Sequence, residues 1–113
     1  MDVDKEVLKG YIDTILISLL YSRPMYGYEL AKEVREISNE TFELKEGTLY
    51  LSLKRLEKNR YLQSYWDDGE SGGGRRKYYK ITNDGITYLK NKKLEWNFMK
   101  NLIEKFLGGV FNE

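Results

Sequence analysis

A mainly α fold carrying one β-hairpin is predicted by three features of the sequence. Apolar residues recur at helical spacing in three successive segments. The periodicity then shortens to two aromatic-rich stretches flanking a glycine-rich tip, and a long final segment returns to helical spacing. Three helices, a hairpin and a last helix is the order of a winged helix-turn-helix. In that architecture the second helix of the central pair enters the DNA major groove, and the hairpin touches the flanking backbone or minor groove. The expected division is a winged helix-turn-helix domain over 1–82 and a C-terminal helix with its tail over 83–113.

In the first segment Leu8, Tyr11, Ile12, Ile15, Leu16, Leu19 and Leu20 fall on one helical face, which predicts a first helix over 5–21. Pro24 pushes Arg23 out of the α region and makes 22–24 a connector. A second helix is expected over 26–38, with Leu30, Ala31, Val34 and Ile37 turned inward. Gly27 at its entry permits close approach of the backbone to a neighbour. Phe42-Glu43-Leu44 alternates and reads as a minor extended piece. The third helix, 46–59, buries Leu49, Leu53 and Leu56, with Thr48, Ser52, Lys54, Arg55 and Lys58 elsewhere around it. Residues 62–66 and 77–82 are β-compatible strands joined by the tip 67–76. Thr82 suits the N-cap of a final helix that stops at Gly108-Gly109. Along it Leu89, Trp96, Met99, Ile103, Phe106 and Val110 step mostly by threes and fours, a heptad seam rather than a broad core face.

The chain has 113 residues, with 19 Lys and Arg against 18 Asp and Glu, and neither Cys nor His. That composition excludes a Cys or His zinc site, a Cys or His nucleophile, a Ser-His-Asp triad and a disulfide framework. The carboxylates show no paired motif for acid-base work, so neither an enzyme nor a cofactor is expected. The longest apolar run, Thr14 to Tyr21, is less than half a bilayer crossing, and Met1-Asp2-Val3-Asp4 is acidic where a signal peptide would be basic. A cytoplasmic protein without a membrane partner is therefore expected.

The charge is unevenly spread. Residues 1–44 hold 5 basic and 9 acidic groups, whereas 45–80 hold 9 basic and 5 acidic. A basic middle segment fits a polyanion-facing surface, and on charge alone it fits a solvated face equally well. The third helix opens with Lys45-Glu46-Gly47-Thr48, small and polar enough for its amides to approach phosphate, and continues with Tyr50, Lys54 and Arg55. Tyr50 is compatible with either surface or core. At the hairpin tip Gly73 and Gly74, beside Arg75 and Arg76, would let the loop lie close to a sugar-phosphate surface and the arginines enter a minor groove. Lys45, Thr48, Tyr50, Lys54, Arg55, Gly73, Gly74, Arg75 and Arg76 form the candidate DNA-binding set.

Several of these segments also resemble a known family. Lys9-Gly10-Tyr11-Ile12-Asp13, then Tyr26-Gly27-Tyr28-Glu29-Leu30, then Glu46-Gly47-Thr48-Leu49-Tyr50 with Leu53-Lys54-Arg55-Leu56-Glu57, and finally Gly73-Gly74-Arg75-Arg76-Lys77-Tyr78-Tyr79-Lys80-Ile81-Thr82 are similar, in order, to the motifs of PadR-type transcriptional regulators. The resemblance covers 8–107. It implies a homodimeric winged-helix repressor joined by its C-terminal helix, with Leu89, Trp96, Met99, Ile103 and Phe106 in the interface. A two-fold dimer would match double-stranded DNA bearing an inverted repeat. The single C-terminal helix is similar to a smaller subfamily that includes multidrug-responsive repressors, a lactococcal one among them, in which a Trp of that helix stacks on planar drugs at the dimer centre. Trp96 stands at that place, which implies a planar aromatic effector, with Leu8, Ile12 and Ile15 along the sides and Lys100 one turn away. A Trp in a heptad seam also reads simply as dimer core. Two positions depart from the pattern. Leu51 stands where many members carry Pro, and Lys100 stands where the lactococcal protein carries an acid, which favours neutral or anionic compounds over cationic dyes unless Asp13 or Glu95 points inward and reverses the local field. The competing reading is a winged-helix adaptor that contacts protein and never DNA, but such an adaptor has no need of basic groups at both helix and wing.

Overall fold

The computed structural model describes residues 3–69 and 74–111. It is mainly helical, with one small antiparallel sheet. The N-terminal segment is not the continuous helix its periodicity predicts: α1 (Lys5–Leu8) passes through a 3-10 turn (Lys9–Tyr11) into α2 (Ile12–Leu20). Gly10, a poor helix former, lies in that turn. There follow β1 (Met25–Tyr26), α3 (Gly27–Ile37), α4 (Glu46–Lys58), β2 (Leu62–Asp67), β3 (Arg76–Ile81) and α5 (Asn83–Leu107).

The core is built around α2, whose Leu16, Ile17 and Leu20 are all but inaccessible. Leu30 and Val34 reach it from α3, Leu49, Leu53 and Leu56 from α4, and Met25, Leu62 and Tyr79 from the three strands. The strand order is β1-β3-β2, so β3 is central. Its pairing runs Met25 to Tyr79 on one side and Leu62 to Ile81, through Trp66 to Lys77, on the other.

Three expectations about the core are corrected. The extended piece is Met25–Tyr26 rather than Phe42-Glu43-Leu44: the latter forms no strand, and its alternation instead buries Leu44 and packs Phe42 against the core. Ile37 is exposed, because α3 ends there and leaves the body. Ser52 is fully buried, since it lies on the α4 face that meets α2.

Two corners fix the wing to the helices. Arg60 adopts φ 66° to turn the chain out of α4, and its carbonyl accepts from the Thr82 hydroxyl at 2.7 Å. Thr82 also accepts from the Gly85 amide at 3.0 Å and so caps α5, while its own amide donates to the Tyr61 carbonyl at 3.1 Å. A side chain at Gly85 would meet Ile81 Cγ1 at 2.7 Å, so glycine is required for α5 to start against the sheet. Tyr61 and Tyr88 stack across the same corner, with centroids 4.3 Å apart.

Candidate nucleic-acid interface

A helix buried along Leu49, Ser52, Leu53 and Leu56 must present the opposite ridge to solvent. On α4 that ridge carries Gly47, Leu51, Lys54 and Lys58, all exposed. Lys45 and Thr48 are exposed at its N-terminal end, where no side chain caps the helix. Tyr50 flanks the ridge on the side of α3 and settles the two readings open to it by doing both: it is half exposed, yet its ring lies over Gly27. A Cβ at Gly27 would come within 2.8 Å of Tyr50 Cζ. Gly27 is therefore the position of close approach, and Tyr50 is the neighbour.

Tyr50 also joins α4 to the wing. Together with Tyr26, Trp66, Arg75, Arg76 and Lys77 it lines one concave surface of about 510 Å³. The wing cations lie over rings rather than free in solvent. Arg75 sits 5.1 Å from the Trp66 ring centre, Arg76 4.8 Å from Tyr26 and Lys77 5.7 Å from Tyr79. Arg75 additionally pairs with Asp68 at 3.0 Å. Behind them Tyr65 stacks on Tyr78, and Tyr26 meets Tyr78 edge-on. Sequence reasoning did not single out Tyr26 or Trp66. Their alternation with the wing cations becomes visible only once the register pairs Trp66 with Lys77 and Tyr26 with Tyr78. Gly74 is exposed with φ 81°, and Gly73 lies outside the described residues.

Arg55 does not join this surface. Its Nε and Nη2 donate to Asp13 of α2 at 2.8 and 2.6 Å, and the buried Ser52 hydroxyl donates to the same carboxylate. Burial pushes the Asp13 carboxyl up, but the hydrogen bonds from Arg55 and Ser52, with the charges of Arg55 and Lys92, outweigh it and hold the group below its ordinary value. The same pair raises Arg55. The bridge ties α4 to α2 and turns the only arginine of that helix away from the ridge.

A second candidate region lies where α1, α2 and α5 meet. Trp96 is about half exposed and stands edge-on to Tyr11, with centroids 5.5 Å apart and planes at 86°. The two rings, with Leu8, Ile15, Met99 and Ile103, line a hollow of about 510 Å³, and the paired Lys92 and Glu95 stand at its rim, 3.4 Å apart. Of the expected lining, Leu8, Ile15 and Trp96 are brought together. Ile12 packs against the core instead, and Lys100 is exposed outside the lining. Tyr11, which the sequence places on a helical face and in a family motif but not in the expected lining, joins it. Along the expected seam Met99, Ile103 and Phe106 are exposed, whereas Leu89 is half buried against its own chain's core.

Among the described residues no acidic cluster could hold a metal ion, and no helix is long and apolar enough to cross a membrane. A helix pair with a cationic exposed ridge, flanked by a basic hairpin, defines a winged helix-turn-helix protein. Residues 16–91 match the model of the transcriptional regulator PadR-like family, and the chain belongs to that family. It is a DNA-binding transcriptional regulator, not an enzyme. The chain is similar to a transcriptional regulator from Clostridium thermocellum, at 46% identity, TM-score 0.84 and coverage of 93% of this chain and 98% of that one. It is also similar to a PadR family transcription regulator from Clostridium difficile, at 49% identity, TM-score 0.77 and coverage of 87% and 99%. An uncharacterized protein of Lysinibacillus sphaericus is 38% identical over 108 residues, which is 96% of this chain and 98% of that protein.

The Asp13 bridge generates a stability prediction. A carboxyl held below its ordinary value stabilises the fold above the unfolded value of about 4 and stops doing so as pH falls through the lowered folded value. Asp13→Asn is expected to cost about 1–2 kcal/mol at neutral pH, at the lower end for a charged hydrogen bond because Arg55 is half exposed. Urea unfolding at pH 7 and at pH 3 should show the gap between variant and wild type narrowing in acid.

Proposed function

We propose that this regulator is a homodimeric repressor that grips an inverted repeat in double-stranded DNA with α4 and the wing, and that a planar aromatic compound bound near Trp96 releases it. The observation that carries the DNA-contacting set is the concave surface on which Tyr50 of α4 meets Arg75 and Arg76 of the wing, with Lys45, Thr48 and Lys54 exposed along that helix and at its start. A recognition helix and a wing that share one concave surface can engage a groove and its flanking phosphates together. Arg55 is left to a supporting role through Asp13. Specific duplexes recovered from random or genomic DNA should contain an inverted repeat, and affinity should fall steeply with salt. Lys54→Ala and Arg75→Ala should each weaken binding and flatten the salt slope. A wild-type protein with no salt-dependent affinity for any duplex defeats the proposal.

Dimerisation is supported by the apolar face of α5. Met99, Ile103 and Phe106 stand exposed on a helix that projects beyond the core, a seam a small monomer rarely leaves in water. A second copy of the same seam covers it with two-fold symmetry. Ile103→Asp should sediment as a folded monomer; an unchanged dimer would put the interface elsewhere.

The effector reading is supported by the hollow at Trp96. Indole offers a large stacking face, Tyr11 braces it, and the Lys92–Glu95 pair leaves the rim without net charge, which suits neutral planar compounds. In a Trp66→Phe background, planar aromatics should quench Trp96 fluorescence and lower DNA affinity. Equal affinity of the compounds for Trp96→Ala removes Trp96 from the site.

A further inference from the structure

The exposed ridge of α4 is unusual in what it lacks. Residues 46–58 contain no Asn and no Gln, and their one arginine, Arg55, is held on Asp13 by two hydrogen bonds of 2.8 and 2.6 Å. Asn and Gln, the side chains that read adenine through paired hydrogen bonds, are therefore missing from the ridge, and its arginine is engaged elsewhere, which leaves guanine edges to the lysines. Thr48, Leu51, Lys54 and Lys58 remain. Leu51 is 65% exposed in the middle of the helix, while Leu49, Leu53 and Leu56 fill the core without it. A lone exposed leucine is ordinary on a protein surface. This one is different in position, since Lys54 and Lys58 follow it at three and seven residues along the same side, and Tyr50 beside it in sequence lines the concavity that holds the wing cations.

An apolar side chain beside two lysines, on the helix that enters a groove lined by phosphates, faces only one apolar group among the base edges there: the 5-methyl of thymine. We propose that Leu51 determines specificity by packing on thymine 5-methyl groups, with the Thr48 methyl, three residues earlier, extending the apolar strip. Gly47, four residues before Leu51, presents no side chain, and nothing lies within 4 Å of where its Cβ would stand, so the ridge can approach the base edges closely at that end. The assignment rests on the reading that α4 enters the major groove.

The test uses the full chain and duplexes selected from random DNA, with each thymine replaced in turn by deoxyuridine, which removes the methyl and keeps every hydrogen-bonding group. At one or two positions per half-site uracil is expected to weaken wild-type binding about four-fold, the effect of one buried methyl. Leu51→Ala, a truncation at an exposed position, is expected to bind the thymine and uracil duplexes equally there. Lys54→Ala is expected to bind both more weakly while keeping the four-fold difference. Indifference of the wild type to uracil everywhere, or an undiminished difference in Leu51→Ala, overturns the role of Leu51 and leaves DNA binding by α4 standing. Recovery of no specific duplex overturns the underlying reading, and this one with it.

Discussion

The enclosure of α2 is the constraint on which the rest depends. This helix is only nine residues long, and Leu16, Ile17 and Leu20 are buried beneath α3, α4, α5 and β3 at once. Burying three such side chains is worth several kcal/mol, a large part of the net stability of a chain this small. The helix proposed to meet DNA and the helix that carries the seam therefore rest on the same support, and neither has a core of its own. Polar fastenings add direction to that apolar one. Asp13 holds α4 through Ser52 and Arg55, and Thr82 locks the start of α5 to the corner after α4.

The wing shows how a small protein orders cations it does not bury. Lysine and arginine lose much rotamer freedom when fixed, and an exposed cation over a ring gains only about 0.5–1 kcal/mol, so each contact biases rather than locks its side chain. Arg75 over Trp66, Arg76 over Tyr26 and Lys77 over Tyr79 together set a row of charge along β3, close to Tyr50. The stacked pair Tyr65 and Tyr78 stiffens the strands beneath it. The same aromatic economy recurs where α1, α2 and α5 meet, with Tyr11 propping Trp96 at an apolar hollow.

Much of this was legible in residue order. Helical spacing of leucines located three core-forming helices, Thr82 marked the start of the last, and a glycine-rich tip between aromatic stretches marked the wing, because period, cap and turn are local properties. The cationic ridge of α4 followed from Leu49, Leu53 and Leu56 occupying the opposite side. What the residue order did not determine was every pairing between distant segments. Met25 and Tyr26 are too short to register as a strand until β3 stands beside them. Ser52 reads as a surface polar residue until Asp13, 39 residues away, receives its proton donor. Arg55 reads as a phosphate contact on composition, yet its direction is decided by a carboxylate on another helix. Gly27 announced a close neighbour without naming Tyr50, and the seam of α5 announced an apolar face without revealing that Leu89 turns into its own core. Local chemistry fixes which element a residue joins. Long-range packing fixes which way it faces, because a half-buried charge must find its partner wherever the folded chain happens to bring one.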